Sequence, residues 1–398
     1  MQMECGKKDK KVGAFLKKIG LFRLLPIISS CVLLLSCASI SKLPLSQLGT
    51  PGHHVFTGMR LLDQNKYADA GREFGIALKI SPGCAKAYAG LGLVNAFKGD
   101  FKGGFDFLLQ SEKLIKNDEE RAFVAVAAIR FNTLRHIACE RAPGQWCPAD
   151  EKNWLKNSLE AFNIAVQKKG DSAYYFMATA YLQAFEIERA ATMFQKVIDL
   201  KGTYLEEAEN NLELIRKIKE AKPGTSIGRR VACAQDVNRA EVAALLGDEL
   251  GIKKLIQERA SRTFEKTVKG PFPMDIADCR LRSYIEDIRN IGIKGLRVYP
   301  DGSFRPRDLV NRADYAVMIE DIVVKISGEK VAKLKGYRSP FYDVPSDQAF
   351  FDAVMFAASR GFMEPVGMLS GSFSPFEQIS GIDALLAIRR VKDYLRVK

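Results

Sequence analysis

Histidine, tryptophan and long apolar runs are all scarce in these 398 residues. Three His (His53, His54, His136), two Trp and no recurring His/Cys cluster leave metal and acid–base chemistry without its usual residues, so neither a metal nor a cofactor is expected. No Gly-Lys-Ser/Thr phosphate loop occurs, and Gly90-Leu91-Gly92 does not continue to the third glycine of a dinucleotide loop. The pairs Glu119-Glu120 and Glu206-Glu207 read as solvated helix charges, and His53-His54 fall in a segment read as a tether. The sequence therefore points to a protein that is not an enzyme. Its formal charge of +13 is concentrated at the start, where residues 1–36 hold seven bases and two acids. What remains is dispersed over the chain, which argues against nucleic acid as a partner. An apolar fraction of 47% supports buried cores, and the length suggests two or three domains.

The leader carries Lys7, Lys8, Lys10, Lys11, Lys17, Lys18 and Arg23 ahead of an apolar run from Leu24 to Leu35. That run is short for a bilayer span and fits the hydrophobic part of an export signal. It ends in Leu34-Leu35-Ser36-Cys37, which resembles the lipobox of bacterial lipoproteins. The resemblance implies a signal peptide over 1–36, a lipidated Cys37 as the mature start, and a tether over 37–55. Each buried methylene adds about 0.8 kcal/mol, so a multiply acylated Cys37 would hold the chain at a membrane. In lipoprotein sorting an Asp after the cysteine implies inner-membrane retention; Ala38 and Ser39 instead imply the outer membrane, facing the periplasm. An oxidising envelope also permits disulfides. Cys139 and Cys147 bracket a turn-rich loop and are expected to pair; Cys233 with Cys279 has no support from proximity.

From residue 56 small and aromatic residues recur at a fixed spacing, the one that separates Gly58 from Gly92 and Phe74 from Leu108. Gly58, Leu61, Tyr67, Ala70, Phe74, Ala77 and Pro82 resemble the small and aromatic positions of a tetratricopeptide repeat. Gly92, Phe101, Gly104 and Leu108 continue it, while Ser111 and Lys116 depart from it. The register then slips across an apolar helical stretch, Ala122 to Ile137, and the Cys139–Cys147 loop. It resumes at Ser158, Phe162 and Ala165, then at Ala178, Ala190 and Phe194. Four helix pairs over 56–222 are expected, with an insertion near 119–150 and a closing helix over 205–221, stopped by Pro223-Gly224. Such a stack presents a groove to a protein partner or holds two ends apart.

The last third repeats at a longer period. Asp301-Gly302-Ser303-Phe304-Arg305-Pro306 with Asn311-Arg312-Ala313-Asp314 recurs as Ser370-Gly371-Ser372-Phe373-Ser374-Pro375 with Ser380-Gly381-Ile382-Asp383. Asn238-Arg239-Ala240-Glu241 is a partial third copy. Each cap residue has an acid three positions on, the capping-box pattern, so three helices start alike. Arg239 and Arg312 then sit at helix N-termini, where the dipole disfavours a cation and an anionic partner is called for. These segments resemble S-layer homology motifs, placed at about 223–265, 272–328 and 340–398, with Asp275-Ile276 and Asp343-Val344 as starts. The resemblance implies an all-α fold, a tetratricopeptide-type solenoid followed by a three-motif helical bundle over 223–398. It also implies binding of cell-wall glycan or acidic polysaccharide through Arg239, Asp301, Gly302 and Arg312. Gly381 replaces the Arg of the third motif, and Ser370 its loop Asp. The first motif lacks a loop and a separate first helix, for which the helix before Pro223 is a candidate.

The resulting expectation is a lipid-anchored envelope scaffold that grips the wall with one module and a protein with the other. The rival keeps the anchor but makes the bundle a protein-docking module of a secretion, pilus or polysaccharide-export machine.

Overall fold

A computed structural model describes residues 49–141, 151–259, 272–329, 338–366 and 371–397. Cys37, Cys147 and Ser370 lie outside them. The helical stack begins earlier than the tether reading allows. Thr50 accepts from the His53 amide, and Pro51 supplies a first-turn residue that needs no amide partner, so α1 (Pro51–Asp63) already contains His53 and His54. His54 lies on its packed side, with Nδ1 2.7 Å from Glu73 Oε2.

Helix α1 pairs with α2 (Tyr67–Ile80), and α3 (Ala85–Phe97) with α4 (Phe101–Lys113). The third pair is α5 (Asp118–Arg141) with α6 (Trp154–Ala165), the fourth α7 (Gly170–Gln183) with α8 (Ile187–Leu200). Small residues let these helices interlock around buried rings. Phe74 is fully buried between Gly58 and Gly90, and a Cβ at Gly58 would come within 2.7 Å of its ring. The register slip has a simple cause. Helix α5 is the first helix of the third pair, extended to 24 residues. It is long and apolar enough to cross a bilayer, yet most of it packs inside the stack. Cys139, in its last turn, is disulfide-bonded, whereas Cys84, Cys233 and Cys279 are free thiols.

Beyond the closing helix α9 (Leu205–Ala221) come α10 (Ser226–Ala232), α11 (Arg239–Asp248), α12 (Ile252–Arg259), α13 (Arg282–Ile291), α14 (Arg312–Ser327), α15 (Phe351–Ser359) and α16 (Gly381–Val397). The fold is all-α, a helical repeat solenoid running into a helical bundle, with no strand among the described residues. Asn238, Asn311 and Ser380 cap α11, α14 and α16 through their side chains. Only Asn238 completes the reciprocal box with its acid; Asp314 and Asp383 accept from the cap side chain itself.

Packing among these helices is cyclic. Helix α13 lies on α11, α15 on α14, and α9 on α16. The closing helix of the stack thus fills the place of the first helix that the first motif lacks. Lys217 Nζ on α9 reaches Asp383 Oδ1 at 3.0 Å, and Arg390 on α16 reaches Glu220 at 3.3 Å. One apolar core consequently runs from Ala125 in α5 to Leu395 in α16, while a smaller core serves the first two pairs. Ser46–Lys398 forms a single compact unit.

Candidate functional site

The loop of the second motif turns tightly at Gly302, whose φ is +82°, and at Arg305, whose φ of +56° is unusual for a side-chain-bearing residue. The third motif repeats this at Gly371 and Ser374 (φ +60° and +54°). Two carboxylates hold these turns. Asp275 accepts from the amides of Phe304 and Arg305 at 3.0 and 2.6 Å. Asp343 accepts from Phe373 and Ser374 at 2.9 and 2.7 Å, and from the Ser372 hydroxyl at 2.6 Å. Phe304 and Phe373, thus fixed, are fully buried. The sequence marked both aspartates as motif starts without giving them a role; the available signal was their nearly equal offset from the loop phenylalanine of each motif.

Burial alone would raise the Asp343 pKa, but the hydrogen bonds from Ser372, Phe373 and Ser374 outweigh it and hold the carboxyl below its usual range. A depressed folded-state pKa gives stability that is complete at neutral pH and is lost as pH falls below about 4. Asp343→Asn is therefore expected to flatten the acid limb of the stability curve in urea titrations. An unchanged acid limb would contradict this role.

The expected ligand arginines lie between motifs. Arg239 is 6% exposed, and its guanidinium donates from Nε to the carbonyl of Phe304 at 2.8 Å, from Nη1 to Gly295 at 2.6 Å and from Nη2 to Arg297 at 2.8 Å. Its two neighbouring rings, Tyr299 and Phe304, lie 4.8 and 4.7 Å away. Arg312, 5% exposed, repeats the arrangement one motif on. Its Nε donates to Phe373 at 2.8 Å, its Nη2 donates to the carbonyl of Glu364, and its guanidinium lies 4.8 Å from the Phe373 ring. Burial pulls both guanidinium pKa values down.

The helix-start donors are also occupied. The amides of Arg239 and Ala240 donate to Asp308 and Pro306, and those of Arg312 and Ala313 to Glu377 and Pro375. Carbonyl dipoles of the next motif thus supply the negative potential that the cation at the helix start calls for. The third motif departs for a steric reason. A Cβ at Gly381 would overlap the carbonyl oxygen of Val231 and lie 2.8 Å from its carbon and 3.0 Å from the oxygen of Ala234. Without a loop in the first motif, the last turn of α10 and the residues just after it occupy the space, and the Gly381 amide donates to the carbonyl of Ala234 at 3.0 Å.

Asp301 is exposed. Its carboxylate is held far below the usual range by Ser303, then Arg305, whose Nη2 donates to it at 2.8 Å. Arg312 also walls an open cleft of about 180 Å³, together with Lys217, Glu364, Asp383 and Arg390. Lys217 and Arg390 were not singled out from sequence, because their partners are distant in the chain: Asp383 is 166 residues from Lys217.

A model of the S-layer homology domain family matches residues 296–316 and 340–385. The curated proteins contain no match to the chain. The matched residues include the Phe304 loop and Arg312 of the second motif and most of the third, from before Asp343 to the first turn of α16. The C-terminal part of this chain accordingly carries an S-layer homology domain, which suggests association with the cell envelope or wall.

Proposed function

We propose that the chain is a non-enzymatic envelope lipoprotein that holds cell-wall glycan through its C-terminal bundle and a protein partner through its repeat stack. Cys37 would carry the lipid that keeps it at the outer membrane, facing the periplasm. The observation that supports the wall role is the cleft where Lys217, Arg312 and Arg390 meet Glu364 and Asp383. Its charges are mostly paired: Lys217 with Asp383, and Arg390 with Glu364 and Glu220. A concave wall of fixed donors beside fixed acceptors suits sugar hydroxyls, which need both, better than it suits a pure polyanion. Tyr342 and Phe376, 77% and 70% exposed in the same module, offer faces on which a ring can stack. Direct wall contact by Arg239, Asp301 and Gly302 is the less favoured arrangement, since Arg239 is committed to three carbonyls.

The same exposed rings favour a second reading, docking of the bundle onto an envelope machine. Co-sedimentation of the chain from Ser46 onward with purified, protein-free wall sacculi separates the two. Saturable pelleting is expected; a chain that stays in the supernatant at all sacculus concentrations would favour docking.

A further inference from the structure

Where the stack meets the bundle, a cavity of about 510 Å³ lies between the end of α5, the start of α6, the end of α7 and α10. This volume is in the range that holds a small organic ligand. Two arginines of α10 line it, and the guanidinium of neither Arg229 nor Arg230 forms a hydrogen bond or ion pair with any described residue. The Nε of Arg230 is shielded from solvent with no acceptor. A shielded N–H left so costs free energy that an acceptor would recover, and an anion brings one. Of the acids on the same wall, Glu241 is committed to the capping box with Asn238, and Glu140 is exposed at the rim.

Three aromatic rings share the wall with the arginines: His136, Trp154 and Phe185. His136 and Trp154 stack with ring centres 4.1 Å apart, and Arg229 lies 5.3 Å from the ring of Phe185. Phe185 is present at a backbone cost. Its φ is +58°, in the turn position that Asn65 and Gly99 fill in the first two pairs. Asn and Gly tolerate that conformation; a bulky aromatic does so at a loss, which argues for a use of the ring itself.

We propose that this cavity binds a small organic anion. Its carboxylate or phosphate lies against Arg229 and Arg230, and its ring or apolar body against Phe185 and the edge of Trp154. Charge and flat apolar surface are both required, so neither alone gives full affinity.

The test uses the Ser46–Lys398 chain with three probes, phenyl phosphate, benzoate and inorganic phosphate, read by tryptophan emission and by thermal midpoint. At least one aromatic anion is expected to saturate and raise the midpoint, and the tighter of the two separates a phosphate from a carboxylate source. Inorganic phosphate should bind at least about tenfold more weakly. Arg229→Gln, at an exposed position, should fold as the parent does and lose about tenfold in affinity. Arg230→Gln should lose at least as much. The proposal is overturned if neither aromatic anion saturates, if inorganic phosphate binds equally well, or if both variants bind like the parent.

Discussion

Gly381→Ala is expected to cost about 3 kcal/mol or more of folding stability. The direction is diagnostic, because Gly381 opens α16 and a glycine-to-alanine change in a helix ordinarily stabilises by up to about 1 kcal/mol. Here the added methyl meets backbone on both sides, at Val231 and Ala234, and backbone cannot rotate away as a flexible side chain would. To admit it, α16 must move off α10, which breaks the 3.0 Å bond from the Gly381 amide and disturbs the core around Ile382 and Leu385. Urea midpoints for the two proteins measure the loss. A variant within about 0.5 kcal/mol of the parent would mean that α10 does not occupy that space.

Arg239→Met should cost about 2–3 kcal/mol, the range for losing charged hydrogen bonds and leaving a buried acceptor unpaired. Methionine matches the apolar stem but leaves the buried carbonyl of Phe304 with no donor and removes the charged donors of the carbonyls of Gly295 and Arg297. Arg239→Lys is expected to restore little of it. One ammonium cannot serve three separate carbonyls while also contacting the rings of Tyr299 and Phe304 as the planar fork does. Arg312→Met should lose less, since two of its bonds to protein carbonyls are at stake. Thermal midpoints of the three variants test this ranking. Full rescue by lysine would show that Arg239 acts as a bare charge.

These two positions also show how far the sequence could be read. The caps at Asn238, Asn311 and Ser380, the buried Phe304 and Phe373, and the ring Phe74 between small residues all follow from local pattern, and the structure places each as the pattern requires. Electrostatics at a helix start correctly called for a negative partner for Arg239 and Arg312. It could not say that the partner is a carbonyl from the loop of the following motif rather than a ligand. Gly381 could be seen as a departure, but its cause, the backbone at the end of α10, belongs to the first motif, at the far end of the bundle sequence. The slip in the repeat spacing hid a helix that simply continues, since no local signal ends α5 before its disulfide-bonded Cys139. The double service of α9 was legible only as a gap in the first motif, and Lys217 and Arg390 meet their partners through it.

The central claim is that the cleft lined by Lys217, Arg312, Asp383, Arg390 and the segment after α15 holds wall glycan. Calorimetric titration of the Ser46–Lys398 chain with soluble wall fragments released by a muramidase tests it most directly, using Lys217→Ala with Arg390→Ala as the variant. Both side chains are half-buried and their ion pairs still reach solvent, so their loss should leave the fold intact at a cost of about 1 kcal/mol each. The account predicts saturable binding by the parent and a loss of at least about tenfold in the double variant. Equal binding by the two proteins, or no heat from either, would contradict it.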